Sequence, residues 1–311
     1  MKPLASSVAV SLVIGIAFWL GGCGTPNRTQ LFRAIRSGDV QKVKSILAVK
    51  PQLLKEREPP YGNTPLIEAV RQCNLPVIQA ILDHGADVNE PNDVDITALM
   101  AAAHRGCDAA IPLLVKRGAS VNAHDPEGIT PLHLAGGYPA CVSTLLHLGA
   151  DPRARTKDGS LPIHFAASQQ DPASLKLLLR AGDSINARDE RGRTVLMHVV
   201  MPAVWHSTVK ECVTLLLERG ADPTAIDEDG YTVLHYVASF PRTFLKQGGV
   251  ETEIDFRQQE QWRIEVARIL IGAGADPARR NKSGKTAADF AKSEGSLRLA
   301  SFLQQAIQKR K

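Results

Sequence analysis

The sequence predicts an all-α repeat solenoid of about eight helix pairs, joined by short β-hairpin-like connectors. Three observations carry that reading. Gly62-Asn63-Thr64-Pro65-Leu66 returns as Gly128-Ile129-Thr130-Pro131-Leu132-His133, with variants at Ile96-Thr97-Ala98-Leu99, Leu161-Pro162-Ile163-His164, Thr194-Val195-Leu196, Thr232-Val233-Leu234-His235 and Thr286-Ala287-Ala288. A second element follows six of these, as in Gly85-Ala86-Asp87-Val88-Asn89 and Gly274-Ala275-Asp276-Pro277. Its glycines (85, 118, 149, 182, 220, 274) each stand 12 residues before the next Thr-equivalent position (97, 130, 161, 194, 232, 286), whereas the distance onward to the following glycine varies from 19 to 42.

The constant half of the unit has a physical reason. A glycine after a run such as Ile81-Leu82-Asp83-His84 ends a helix with positive φ. The chain then crosses to the next unit as a finger, turning at polar stretches such as Asp227-Glu228-Asp229-Gly230. Thr caps the next helix, and Pro is tolerated directly after it because that N–H has no helical partner. One residue more or less in this link misplaces a whole helix pair. Between the two helices the chain turns at the surface, where added residues cost little.

A turn plus two helices with a period near 33 residues resembles the ankyrin repeat family. The resemblance covers residues 30–308, in units beginning near 30, 61, 94, 127, 158, 191, 229 and 283. The first unit keeps Leu31-Phe32-Arg33-Ala34-Ile35 but lacks the Thr-Pro-Leu-His segment, and the last has Asp289 at the His position, so both read as caps of the array. Met100, Met197 and Leu161 depart from the family pattern, and their units are expected to be less well tied. Longer helix-to-helix segments are expected near 200–210 and 240–262. A composition with 44% apolar but only 5% aromatic residues suits thin layers filled by Ala and Leu.

The first residues read as a separate object. Met1-Lys2 precedes an apolar run from Val8 to Leu20, whose thirteen residues span only about 20 Å, short of the roughly 30 Å hydrocarbon core. A signal segment over 1–22 fits better than a marginal membrane anchor. Leu20-Gly21-Gly22-Cys23 resembles a bacterial lipobox. That resemblance implies lipidation of Cys23, a tether over 23–29, and an address at the outer membrane facing the periplasm, with Gly24 after the cysteine; the inner membrane is the alternative address.

Little in the chain suggests chemistry. The histidines at 133, 164 and 235 share one repeat position, where the family uses the ring to hydrogen-bond connector backbone, and successive units lie too far apart for one zinc ion. No Walker, Rossmann or G-x-S-x-G pattern occurs. The net charge of +5 is dispersed, with one basic cluster in the tail, Lys309-Arg310-Lys311, so no nucleic-acid face is indicated. No enzyme activity, cofactor, metal or small-molecule substrate is expected. Cys73, Cys107, Cys141 and Cys212 are expected to be mostly buried thiols, with a Cys73–Cys107 bridge as the alternative.

The expected function is binding of a partner protein. In the family, the residue after the His position points into the concave surface; here it is Glu68, Ala101, Leu134, Phe165, His198 and Tyr236. Leu134 and Phe165 form a candidate apolar anchor, unless Phe165 folds back onto its own repeat. Finger tips at Asp93, Glu127, Lys157, Arg191 and Glu228 give a mixed-charge rim. Trp205 and Trp262 fall in the lengthened segments, either as a satellite core or as a partner-contacting knob. Two further versions follow from architecture and address: an immunity protein masking a secreted toxic effector, and a structural or enzyme-protecting envelope component.

Overall fold

The computed structural model describes residues 27–182, 184–202, 205–239 and 256–309. Cys23, the expected signal segment over 1–22, Phe240, Phe244 and Gln247-Gly248-Gly249 lie outside them. Sixteen α-helices in eight pairs are present among the described residues. They are α1 (Arg28–Ser37) with α2 (Val40–Val49), α3 (Pro65–Arg71) with α4 (Leu75–Asp83), α5 (Ala98–Arg105) with α6 (Ala110–Lys116), and α7 (Pro131–Leu134) with α8 (Pro139–His147). Then follow α9 (Pro162–Ser168) with α10 (Pro172–Arg180), α11 (Val195–Val200) with α12 (Val209–Glu218), α13 (Val233–Ala238) with α14 (Phe256–Gly272), and α15 (Ala287–Ser293) with α16 (Leu297–Gln308). Helix α1 starts at Arg28, capped by the Asn27 side chain.

The chain divides into two compact units, residues 1–94 and 95–311. In the first, α1 packs on α3 and α2 on α4, with a 3₁₀ turn at Pro51–Lys55 against α2 and α3. In the second, the first helices α5, α7, α9, α11, α13 and α15 stack in sequence, and the second helices α6 to α16 stack beside them. Each layer is thin because small side chains fill it: Ala98, Ala102, Ala103, Ala166 and Ala167 are all fully buried. No helix pair hides its own apolar face, so burial comes from the neighbour.

Thr64, Thr97, Thr130, Thr194, Thr232 and Thr286 all N-cap first helices, with Leu161 at the equivalent corner. The six recurring glycines past the second helices have φ between 87° and 115°. Four fingers are held by a carboxylate or amide five residues before Thr130, Thr194, Thr232 and Thr286. Asp125 Oδ1 accepts the N–H groups of Glu127 and Ile129 at 2.9 and 2.8 Å, and Asp189, Asp227 and Asn281 repeat the pattern. Finger is tied to finger by backbone: the Lys157, Glu190, Glu228 and Lys282 N–H groups donate to the carbonyls of Glu127, Asp158, Arg191 and Asp229 at 2.8–3.0 Å. These bonds count residues, which is why the link is 12 long.

Gly128 shows how tight this crossing is. Its φ is +80°, and a Cβ there would lie 2.9 Å from the Arg155 carbonyl oxygen and 3.0 Å from Thr156 Cα. Gly149 has φ +87° with nothing within 4 Å of such a Cβ. Gly149→Ala should therefore cost only the left-handed backbone penalty of about 1–2 kcal/mol. Gly128→Ala adds a backbone clash and should cost about 1–3 kcal/mol more. Urea melts of the two variants make the comparison, and equal losses would refute the crowding argument.

Two expectations change here. Residues 256–262 form the first turns of the 17-residue helix α14, so Trp262 lies on a helix and not in a helix-to-helix excursion. Cys73 and Cys107 are disulfide-bonded, whereas Cys141 and Cys212 are the buried free thiols. Burial pushes those two thiols up to about 11 and about 12, so at neutral pH they are unreactive apolar filler.

Candidate functional site

The first-helix row is organised by the histidines. His133 Nδ1 accepts the Thr130 N–H at 3.1 Å, leaving Nε2–H to donate to the Ser160 carbonyl of the next repeat at 3.3 Å. His164 does the same between Leu161 N–H and the Ala187 carbonyl, and His235 between Thr232 N–H and the Lys285 carbonyl. Burial lowers His133 and His164 to about 4 and also lowers His235, which keeps each ring neutral and able to accept at Nδ1. In the repeats with methionine the sulfur takes the ring's place weakly, with Thr97 N–H to Met100 Sδ and Thr194 N–H to Met197 Sδ both 3.5 Å. In the eighth repeat Asp289 Oδ2 accepts both the Thr286 N–H and hydroxyl at 2.8 Å, all within its own repeat.

The predicted contact row then divides. Phe165 does not fold back on its own repeat: it packs edge-on against His133 of the preceding one, ring centroids 5.0 Å apart. It and Leu134 remain half-buried on adjacent layers. Glu68, Ala101 and His198 are only 7%, 5% and 7% exposed, leaving a partner little of them to touch. Within the first unit Glu68 accepts from Gln72 at 3.2 Å and lies 4.0 Å from Arg36. Tyr236 is half-buried and donates its hydroxyl to Asp227.

His198 sits in a chain with a suggestive order. Its Nε2 lies 3.1 Å from Asp189 Oδ2 and its Nδ1 3.3 Å from Ser168 Oγ. Asp189 also accepts from Arg193 Nε at 2.6 Å and from the backbone of Arg191 and Arg193. Burial pushes that carboxyl up, but the bonds from His198 and Arg193 outweigh it and hold it well below the usual range. The carboxylate is the hub of a finger, and Ser168 is the last residue of a helix instead of a nucleophile on a sharp turn. The arrangement braces structure.

A family model described as ankyrin repeats, in three copies, matches residues 8–92, 89–156 and 161–246. The chain belongs to the ankyrin repeat family. It is 30% identical over 270 residues to human ankyrin repeat and SOCS box protein 6, covering 83% of this chain and 55% of that protein. It is 28% identical to dog inversin over 228 residues, 70% of this chain and 20% of inversin. The chain thus spans a fifth to about half the length of these curated relatives. Among solved structures, the human ASB11 ankyrin repeat domain matches with TM-score 0.63 and 27% identity, covering 78% of this chain and 98% of that domain. The ankyrin repeat domain of Bcl-3 matches with TM-score 0.54 and 28% identity, covering 79% and 100%.

Ankyrin repeats generally mediate protein–protein interaction, and the surface available for that here differs from the predicted set. Trp205 is 1% exposed, so it is not a contacting knob. Trp262 is half-buried and lines a cavity of about 50 Å³ with Val209, Lys210 and Glu265. Phe290 was missed: it follows Asp289 as Phe165 follows His164, and it packs edge-on against His235 at 5.7 Å. Reading the register past a non-histidine would have found it. Also unread were the arginine braces before several fingers, such as Arg188 Nη1 donating to the Gly192 and Ile226 carbonyls at 2.7 Å each.

Proposed function

We propose that this chain is a protein-binding module that grips its partner along the first-helix face around Leu134 and Phe165, held in the bacterial periplasm by a lipid on Cys23. The half-buried Leu134–Phe165 pair carries the reading. Phe165 is held against His133 of the preceding repeat, and both side chains are half-buried and keep apolar surface open, which is the character of an interface anchor. The tether is supported by Leu20-Gly21-Gly22-Cys23 behind its apolar run. The oxidised Cys73 and Cys107 suit a compartment outside the reducing cytosol.

The test is affinity purification of the full chain, Cys23 intact, from bacterial envelope extracts. One partner should be recovered in stoichiometric amount. Leu134→Asp should weaken its binding by roughly 30-fold or more, the loss of a hot spot worth about 2 kcal/mol, with the urea midpoint little changed. Cys23→Ser should move the chain from the membrane to the soluble fraction without altering binding. Absence of any stoichiometric partner overturns the binding reading, and membrane retention of Cys23→Ser overturns the lipid tether.

A further inference from the structure

Repeats seven and eight carry a ring cluster beside a finger rich in basic residues. Tyr231 lies 5.8 Å from Tyr236 and 5.3 Å from Phe290, and all three rings are half-buried. The finger beside them reads Arg279-Arg280-Asn281-Lys282-Ser283-Gly284-Lys285, with all four cations exposed. No ion pair involves them among the described residues. Arg280 spends one N–H on the Gly284 carbonyl, and Lys285 Nζ stands 5.7 Å from the Phe290 ring centre.

The carboxylates that face this region are mostly committed. Asp227 takes the Tyr236 hydroxyl and two finger N–H groups, whereas Asp289 both accepts from Thr286 and, being exposed, offsets part of the charge of Arg280 and Lys285. Glu228 and Asp229 are exposed on the neighbouring finger, which is bonded to this one through Lys282 N–H and the Asp229 carbonyl. Four exposed cations therefore stand against three exposed carboxylates, Glu228, Asp229 and Asp289, with the cations all on the last finger.

We propose that this surface docks an acidic segment of the partner protein, with an apolar side chain seated on Tyr231 and Phe290 and carboxylates over Arg279, Lys282 and Lys285. The inference rests on the protein-binding reading above and gives that partner its chemistry. Half-buried rings supply contact area at low entropic cost, and the lysine beside Phe290 gains a carboxylate in a partly dried setting. The four cations on one finger, only partly offset by Asp289, steer an anionic segment and fix its direction, because Glu228 and Asp229 repel it from the adjacent tip.

A random peptide library displayed on phage, selected against the full chain at low salt, tests this. Enriched peptides should be net acidic with an apolar residue among the carboxylates. The best of them, made synthetically, should bind the double variant Lys282→Glu, Lys285→Glu and the single variant Phe290→Ala at least tenfold more weakly. Lys282→Arg with Lys285→Arg should keep the affinity, which should also fall as salt rises. Enriched peptides without net negative charge, or acidic ones indifferent to these changes, overturn the proposal. Peptides lost only on Leu134→Asp would overturn it while sparing the general binding reading, and no enrichment at all would count against both.

Discussion

Lowering the pH from 7 to 5 is expected to remove roughly 4 kcal/mol of stability through His133 and His164 alone. Burial holds both rings at about 4, and their exposure is 1% and 0%. The sign follows from which state takes the proton first. In the unfolded chain these histidines titrate near 6.5, so above that pH both states are neutral and the ring bonds contribute fully. Between 6.5 and about 4 the unfolded chain is protonated and the folded one is not, so stability falls by up to about 1.4 kcal/mol per pH unit for each ring. A proton forced onto Nδ1 would also face the Thr130 or Leu161 N–H instead of accepting it. His235 is shifted in the same direction and should steepen the slope. The carboxylates act in a lower window, since Asp189 and Asp289 are held down and lose their contribution only as pH falls below about 5. Urea melts at several pH values between 7 and 5 read this directly. Exchanging His133 and His164 for methionine, as stands naturally at positions 100 and 197, should lower stability at pH 7 and flatten the slope by about two protons. A midpoint independent of pH, or a slope untouched by the double exchange, defeats the account.

Periodicity made most of the fold legible before any coordinates. Fixed spacing between Gly85 and Thr97, repeated five more times, placed the third to eighth helix pairs, because a solenoid's connector must keep its length while its other loops need not. Burial was harder to read from the same row. Glu68 and His198 share a register with Phe165, yet one is drawn in by Arg36 and Gln72 and the other by Asp189 and Ser168, polar partners that a one-dimensional pattern does not display. Phe290 escaped because its marker position holds Asp289, which performs the Thr-capping half of histidine's work and drops the reach to a following repeat. The state of Cys73 and Cys107 was misjudged from an assumed layer spacing alone, with no account of side-chain direction.

Trp205→Ala is expected to cost about 3–5 kcal/mol, the range for deleting a large buried aromatic side chain. The insertion that carries it is not a knob. The indole is 1% exposed, and the Arg263 guanidinium, itself 2% exposed, lies 4.4 Å above the ring. Gln259 clamps the tryptophan backbone from α14, accepting its N–H at 3.1 Å and donating to its carbonyl at 3.0 Å. Arg263 also donates to the Val237 carbonyl at 2.7 Å, at the end of α13. Burial lowers that guanidinium to about 10, so it stays charged at neutral pH and needs the ring face and carbonyl that now solvate it. Removing the indole therefore leaves a cavity and takes away one of the groups that stabilise a buried cation. Because α14 spans the second-helix stack between α12 and α16, the loss should spread beyond its own repeat and broaden the urea transition as the last layers uncouple. Trp205→Phe keeps a ring beneath Arg263 and should recover a good part of the loss. A partner-contacting tryptophan would behave the other way, with an unchanged melt and weakened binding, and that pair of results would return the insertion to the binding surface.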